Sequence, residues 1–217
     1  PTDMGVNMAG NCIVDDAVCR EASRKEILRR YYTAQVSFVR GEADECQLRK
    51  LELVMQQAGV TPDICPAVAA SLQKAEETGK PAGAMVLPDG RVVTGKTSSL
   101  LGASASLLLN ALKALAGIDD DVHLISPTII EPIQKLKIEH LGNRNPRLHT
   151  DEVLIALSIC AATDERAARA MEALAELAGC EVHSSVILSQ VDSDVFKKLG
   201  TNLTCEPVYQ TKKLYHK

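Results

Sequence analysis

"AGAMVLPDGRVVTGKTSSLLGASASLLLNALKALAG" (residues 82–117) decides how this chain is read. Two short apolar runs flank Pro88-Asp89-Gly90. Proline presets φ at the first turn position, and glycine accepts the left-handed conformation, so a β-hairpin with a three-residue loop is expected. The run from Ser98 to Gly117 is apolar nearly all round and predicts a helix buried on most sides. The same stretch holds Gly90-Arg-Val-Val-Thr-Gly-Lys-Thr97, which fits the phosphate-loop pattern G-x-x-x-x-G-K-[ST]. A working phosphate loop curls its amides round the ligand and needs flexible residues between its glycines. Val92, Val93 and Thr94 are β-branched and stiff, and Gly90 is already required by the hairpin. The match therefore divides into a turn and strand up to Thr94, then a helix start from Gly95. There Lys96 and the amides and hydroxyls of Thr97, Ser98 and Ser99 are candidates to hold an anion. The competing reading is a Thr or Ser cap beside a solvated lysine.

Upstream, residues 1–13 read as a Gly- and Asn-rich loop. Asp15 and Asp16 start a helix expected to reach about Arg40, and a second runs from Asp44 to Ala58 with Gly59 as its stop. A third follows Pro66 and ends near Thr78, so residues 1–79 are expected to form a helical subdomain, and residues 80–217 an α/β subdomain. Downstream, "VHLIS" (122–126) reads as a short strand, and Glu131-Pro132 as a helix start with Gly142 as its end. "TDEVLIALSICAA" (150–162) suits a buried strand by its apolar run. Thr150 as cap, with Asp151 and Glu152 in the first turn, favours a helix instead. A helix over 164–178, a strand at "CEVHSSVILS", a short helix at "DSDVFKKLG" and a strand at "TNLTCEPVY" complete the pattern. The fold class expected is α/β, a three-layer subdomain with a mixed sheet behind the helical one.

Composition limits the function classes. The 217 residues carry a net charge of −4, and aromatics make up 3% with no Trp. Neither a nucleic-acid partner nor an anionic membrane surface fits that balance, and stacking platforms are scarce. No apolar run is long and charge-free enough to span a bilayer. Seven cysteines without C-x-x-C spacing, and no secretory signal, suggest reduced thiols and a cytoplasmic setting. The chain opens at Pro1 without an initiator Met, which is read as a segment of a longer protein.

Three polar clusters remain. "GNRNPRLH" (142–149) brings Arg144 and Arg147, able to grip a carboxylate or phosphate, beside His149, the proton-transfer candidate. A solvated loop ending in a helix cap is the competing reading. His183 with Ser184 and Ser185 lies on a strand, where alternation separates His183 from Ser184. No orienting third group is evident, so a satisfied, partly buried histidine is expected. Cys205 beside Glu206 is a weaker nucleophile candidate. His123, His140, His149, His183 and His216 show no metal-ligand spacing.

"PTDMGVNMAGNCIVDDAVCREASRKEILRRYY", "LPDGRVVTGKTSSLLGASASLLLNALKALAGI", "NPRLHTDEVLIALSICAATD" and "HSSVILSQVDSDVFKKLGTNLTCEPVYQTKKLYHK" resemble the bacterial family catalogued as domain of unknown function 1846. The likeness covers nearly the whole chain. It implies that this segment is the C-terminal half of a longer protein, whose N-terminal half resembles a Rossmann-like domain with its own Gly-rich phosphate loop. Family members have been labelled ATP-dependent peptidases, but no matching active site is identifiable in these residues. The hairpin-then-helix opening also resembles the cytidine-deaminase-like fold, although the H-x-E and P-C-x-x-C zinc motifs are missing. The function expected is an enzyme or ligand-binding protein recognising a small phosphate-like anion and completed by the N-terminal half. The alternative is a non-catalytic oligomerisation module, a homo-oligomer built on the helical subdomain and the 98–116 helix. No cofactor is indicated.

Overall fold

The computed structural model describes residues 15–210. The loop expected over 1–13 lies outside them. The chain divides into two compact units after Ile64.

The first unit is a helical hairpin. α1 (Asp16–Val39) is capped by Asp15, whose carboxylate accepts from Ala17 N and Val18 N, and α2 (Glu45–Ala58) is capped by Asp44. Leu28, Tyr32, Met55 and Val60 are its buried apolar side chains. Arg24 near the start of α1 donates to Gly59 O at the end of α2, 2.8 Å, so the two helices run antiparallel.

The second unit begins with α3 (Pro66–Thr78), with Pro66 at its N-terminus and Gly79 in the left-handed conformation behind it. The sequence boundary after residue 79 therefore falls late. α3 packs on β1 (Ala82–Val86), β2 (Val92–Lys96) and β3 (Glu181–Ser184) and belongs with the sheet. With β4 (Asn202–Cys205) these form a mixed sheet of order β2-β1-β3-β4. β1 is antiparallel to both neighbours and β3 is parallel to β4, so β2, β3 and β4 all point the same way. The hairpin forms as read: Leu87 N bonds Arg91 O, and Gly90 takes φ +85°.

α4 (Ala103–Ala116) covers the opposite face from α3 and is buried as expected, with Leu107, Leu108 and Leu112 at 1% exposure or less. It begins five residues later than the sequence suggested. Gly102 is its cap, and Thr97–Leu101 form a turn in which Ser98 Oγ accepts from Leu100 N and Leu101 N. Those hydroxyl bonds offer the backbone an alternative to the helix. α5 (Pro127–Lys135) is capped by Ser126 and starts at Pro127 rather than Glu131, because Pro127 satisfies the first-turn preference that Pro132 was expected to meet. It runs on through a π-helical turn (Leu136–His140) to Gly142. The strand expected at 122–126 is absent. Leu124 and Ile125 enter the core from an irregular segment, since the four-stranded sheet leaves that apolar run no ladder partner. Residues 150–161 are helical (α6, Thr150–Ala161), followed by α7 (Glu165–Glu172) with a 3₁₀ extension and α8 (Gln190–Lys198).

Two glycines set the sheet-to-helix spacing. A Cβ on Gly95 would collide with the backbone nitrogen and Cα of Leu107, and one on Gly83 would press on the Leu107 side chain. α4 is thus seated directly on the backbone of β2. Gly95→Ala should cost about 3 kcal/mol, because the obstacle is backbone that cannot rotate away. Gly90→Ala meets open space and should cost about 1 kcal/mol for its positive φ alone. Urea unfolding of the two variants checks this, and equal losses would refute the close-approach argument.

Candidate functional site

Three helix N-termini meet at the carboxyl ends of the strands. α4 follows the end of β2, and α8 follows the end of β3. In open α/β sheets ligands bind at that edge. α6 is tied to the same place from outside the sheet: Gly102 N donates to Leu148 O (3.2 Å), Leu148 N donates to Leu100 O (3.0 Å), and Leu101 and Leu148 form an isolated bridge.

Asp192, in the first turn of α8, joins α6 to α8. Its Oδ1 accepts from Thr150 N and Thr150 Oγ1, both 3.0 Å. Its Oδ2 accepts from Ser189 Oγ (2.7 Å) and faces His149 Nδ1 (3.1 Å). Burial would raise the Asp192 pKa, but the hydrogen bonds from His149, Thr150 and Ser189 outweigh it and hold the group below its usual value. The carboxylate only accepts, so His149 Nδ1 donates. The hydrogen bond to Asp192 pushes the His149 pKa up, against the opposing effect of burial. His149 Nε2 takes no partner among the described residues.

The loop before His149 is built round a buried cation. Lys137, 3% exposed, donates to Glu152 Oε2 (2.6 Å) and to Arg147 O (2.7 Å). Glu152 Oε2 also accepts His149 N (2.8 Å), one half of a capping box for α6. Leu148 points into the core at 1% exposure, so extended alternation puts Arg147 and His149 on the other side together. Arg147 Nε donates to Ser98 O, 2.6 Å, and its terminal nitrogens have no acceptor among the described residues.

Of the residues expected at a site, Ser98, Arg147 and His149 are thus brought together. Ser99 is exposed next to them, and Gln134 Nε2 bonds its carbonyl. Arg144 is exposed in the same loop without a partner among the described residues. Lys96 is elsewhere. It pairs with Ala82 across the ladder and so lies on the face away from Gly95 and α4. There it lines a cleft of about 920 Å³ at the β2 edge with Lys74, Arg91 and Asn110, and neither Arg147 nor His149 lines that cleft. Lys96 thus stands on the other face from the Thr97 side chain, and Thr97–Ser99 form a turn before α4 rather than a helix start.

His183 is fully buried, with Nδ1 on Thr204 Oγ1 (2.8 Å) and Nε2 on Glu206 Oε1 (3.1 Å). Ser184 Oγ bonds Val186 O, and Ser185 Oγ accepts Ala82 N, so no Ser–His pair forms. The histidine is satisfied, as expected, and Glu206 is its support. No group of three or more His, Cys, Asp and Glu suited to a metal occurs among the described residues. A cytidine-deaminase-like fold is not shown by this mixed four-stranded sheet.

The family described as "Domain of unknown function DUF1846, C-terminal" matches residues 63–215, and its N-terminal counterpart matches residues 1–59. The chain belongs to the DUF1846 family. It is 57% identical over 217 residues to a UPF0371 protein of Corynebacterium efficiens, and 52% identical over 217 residues to one of Streptococcus thermophilus. All of this chain is matched in both cases, against 44% of the relative, so it spans less than half the length of the curated relatives it matches. The change of DUF1846 model between residues 59 and 63 falls close to the structural division after Ile64. Among the described residues no helix is long and apolar enough to cross a membrane.

The His149–Asp192 pair stabilises the fold between two pH limits. Asp192 is depressed below 3.8, so its contribution is complete above the unfolded carboxylate value and is lost as pH falls through the folded one. His149 is raised above 6.5, so its contribution is complete below the unfolded imidazole value and is lost as pH rises through the folded one. The stability difference between wild type and His149→Gln should therefore be largest at about pH 5 to 6 and shrink above the histidine's folded value. Urea unfolding across that range measures it, and a difference constant from acid to alkaline pH would count against the pair. Glu152→Ala should cost about 3 kcal/mol in the same assay, because it leaves Lys137 buried without its counter-charge.

Proposed function

We propose that the site at the carboxyl ends of β2 and β3 binds a small phosphate-like anion, with Arg147 holding its charge and His149 transferring a proton. The observation that carries this is Asp192. Four donors saturate the buried carboxylate and fix Nδ1 of His149, so the group left to act is Nε2, near an arginine whose terminal nitrogens have no acceptor among the described residues. An orienting carboxylate behind an imidazole is the arrangement a general acid or base requires. Arg144 adds long-range attraction from the same loop.

Because this chain spans 44% of its curated relatives, the activity belongs to a longer protein in this reading. The part beyond it, expected to be Rossmann-like, is proposed to supply the rest of the ligand contacts. A cytoplasmic setting is part of the same proposal, in keeping with Cys19, Cys46, Cys160 and Cys180 as free thiols. A second reading, association into a homo-oligomer, is favoured by Ile155 and Ile159, one turn apart on α6 and 61% and 62% exposed. α4 offers no surface for it, since its apolar side chains are spent in the core.

Thermal unfolding of the full-length protein with inorganic phosphate tests the anion site. Phosphate should raise Tm beyond chloride at equal ionic strength. Arg147→Ala should weaken the apparent affinity by about tenfold, the loss of a charge-assisted hydrogen-bonding pair. Wild-type affinity should fall as pH rises through the His149 value. A phosphate effect equal to that of chloride, or untouched by Arg147→Ala, would sink the proposal.

A further inference from the structure

We propose that the N-terminus of α4 is a phosphoryl-oxygen subsite, formed by the first-turn amides of Ala103, Ser104 and Ala105 together with the hydroxyl of Thr97. This deepens the anion reading above and rests on it: the ligand class becomes a small phosphorylated compound, its phosphoryl group at α4 and its reacting end at His149.

Two independent observations meet here. The first is the helix end. Gly102 caps α4 without a side chain, and the amides of Ala103, Ser104 and Ala105 find no acceptor among the described residues. These residues are buried, at 8%, 6% and 0% exposure, so water does not replace the missing partners freely. The second is Thr97. It is 5% exposed, and its Oγ1 has no hydrogen-bond partner among the described residues. A buried hydroxyl without a partner costs folding free energy and needs an explanation.

The ladder aims that hydroxyl at the helix end. Thr97 N donates to Pro81 O at 2.9 Å, which continues the β1–β2 register by one step. Alternation then puts the Thr97 side chain on the face of Gly95, the face on which α4 sits. Leu107 lies over Gly95. Four helical residues back from Leu107 is Ala103, about 6 Å along the axis, and two strand residues on from Gly95 is Thr97, about 6.6 Å along the strand. The start of α4 therefore stands over Thr97. Amides at a helix N-terminus and a neighbouring hydroxyl suit a tetrahedral oxyanion, which accepts from several directions at once. Ser98 links this subsite to the acid–base pair, because its carbonyl anchors Arg147.

The test uses the full-length protein, inorganic phosphate as the probe, and two readouts. Hydrogen exchange should show the amides at 103–105 gaining protection when phosphate is added. Calorimetric titration of Thr97→Val, which keeps the shape and removes the hydroxyl, should show phosphate binding about tenfold weaker than wild type. Thr97→Ser, which keeps the donor, should bind within about twofold of wild type. If Thr97→Val raises Tm while phosphate affinity stays unchanged, the hydroxyl meets a buried water only and the subsite is overturned. Unprotected amides at 103–105 overturn it too, whether or not the variants fold. Weakened binding in Arg147→Ala with none in Thr97→Val removes the subsite and leaves the earlier reading. The reverse result removes the Arg147 and His149 reading and leaves the subsite.

Discussion

The contact between α4 and β2 at Gly95 determines much of what else this unit can do. A helix normally stands off a sheet by the length of its side chains. Here the strand has no side chain under Leu107, and the backbones approach directly. The approach fixes where α4 begins relative to the end of β2. It buries the first turn of the helix and confines Thr97 beneath it. It also commits the chain from Thr97 to Leu101 to a tight turn, held by the Ser98 hydroxyl and by Leu148 from the segment before α6. The second strand-end helix, α8, is then tied in through Asp192.

Much of this fold was legible because it rests on local chemistry. Asp15, Asp44 and Asp164 cap their helices as acidic N-terminal residues do, Gly59 and Gly79 stop theirs in the left-handed conformation, and Pro88-Asp89-Gly90 makes its turn. What misled was apolarity without a partner. "VHLIS" has the composition of a strand, but a strand is defined by its neighbour, and the sheet closes without it. With a boundary after residue 79, α3 is separated from the sheet it packs on for a related reason. Its apolar face is evident in the sequence, but nothing local says that the face packs on β1 and β3, more than a hundred residues apart in the second case.

The candidate site shows the same division. Arg147 and His149 stood out because polar residues gather in a loop there. Asp192 did not, although its own segment carries a readable signal: Ser189-x-x-Asp192 before a helix has the sequence form of a capping box, of which the cap half forms, Ser189 Oγ accepting from Asp192 N. That local pattern accounts for the residue by itself, and so conceals that the carboxylate reaches another helix 42 positions back in the chain. Lys137 was hidden in the opposite way. It sits among charged residues on an apparently solvated helix, and only the packing of the 143–148 loop buries it. Lys96 was over-read, because a sequence neighbour of Thr97 in a strand is a spatial opposite.

The electrostatics of this edge carry one further consequence. A helix N-terminus repels positive charge, and His149 caps α6 while standing beside the start of α8. An imidazolium in that position is unfavourable on its own, and burial disfavours it further. Asp192 reverses the balance, and it can do so because Thr150 and Ser189 stabilise its charge without neutralising it. The net result is a region where helix-end amides, the His149 ring and the Arg147 guanidinium stand beside two carboxylates, Asp192 and Glu152, whose oxygens are already engaged with Thr150, Ser189, His149 and Lys137. In the anion reading proposed above, such a region is where negative charge is best accommodated.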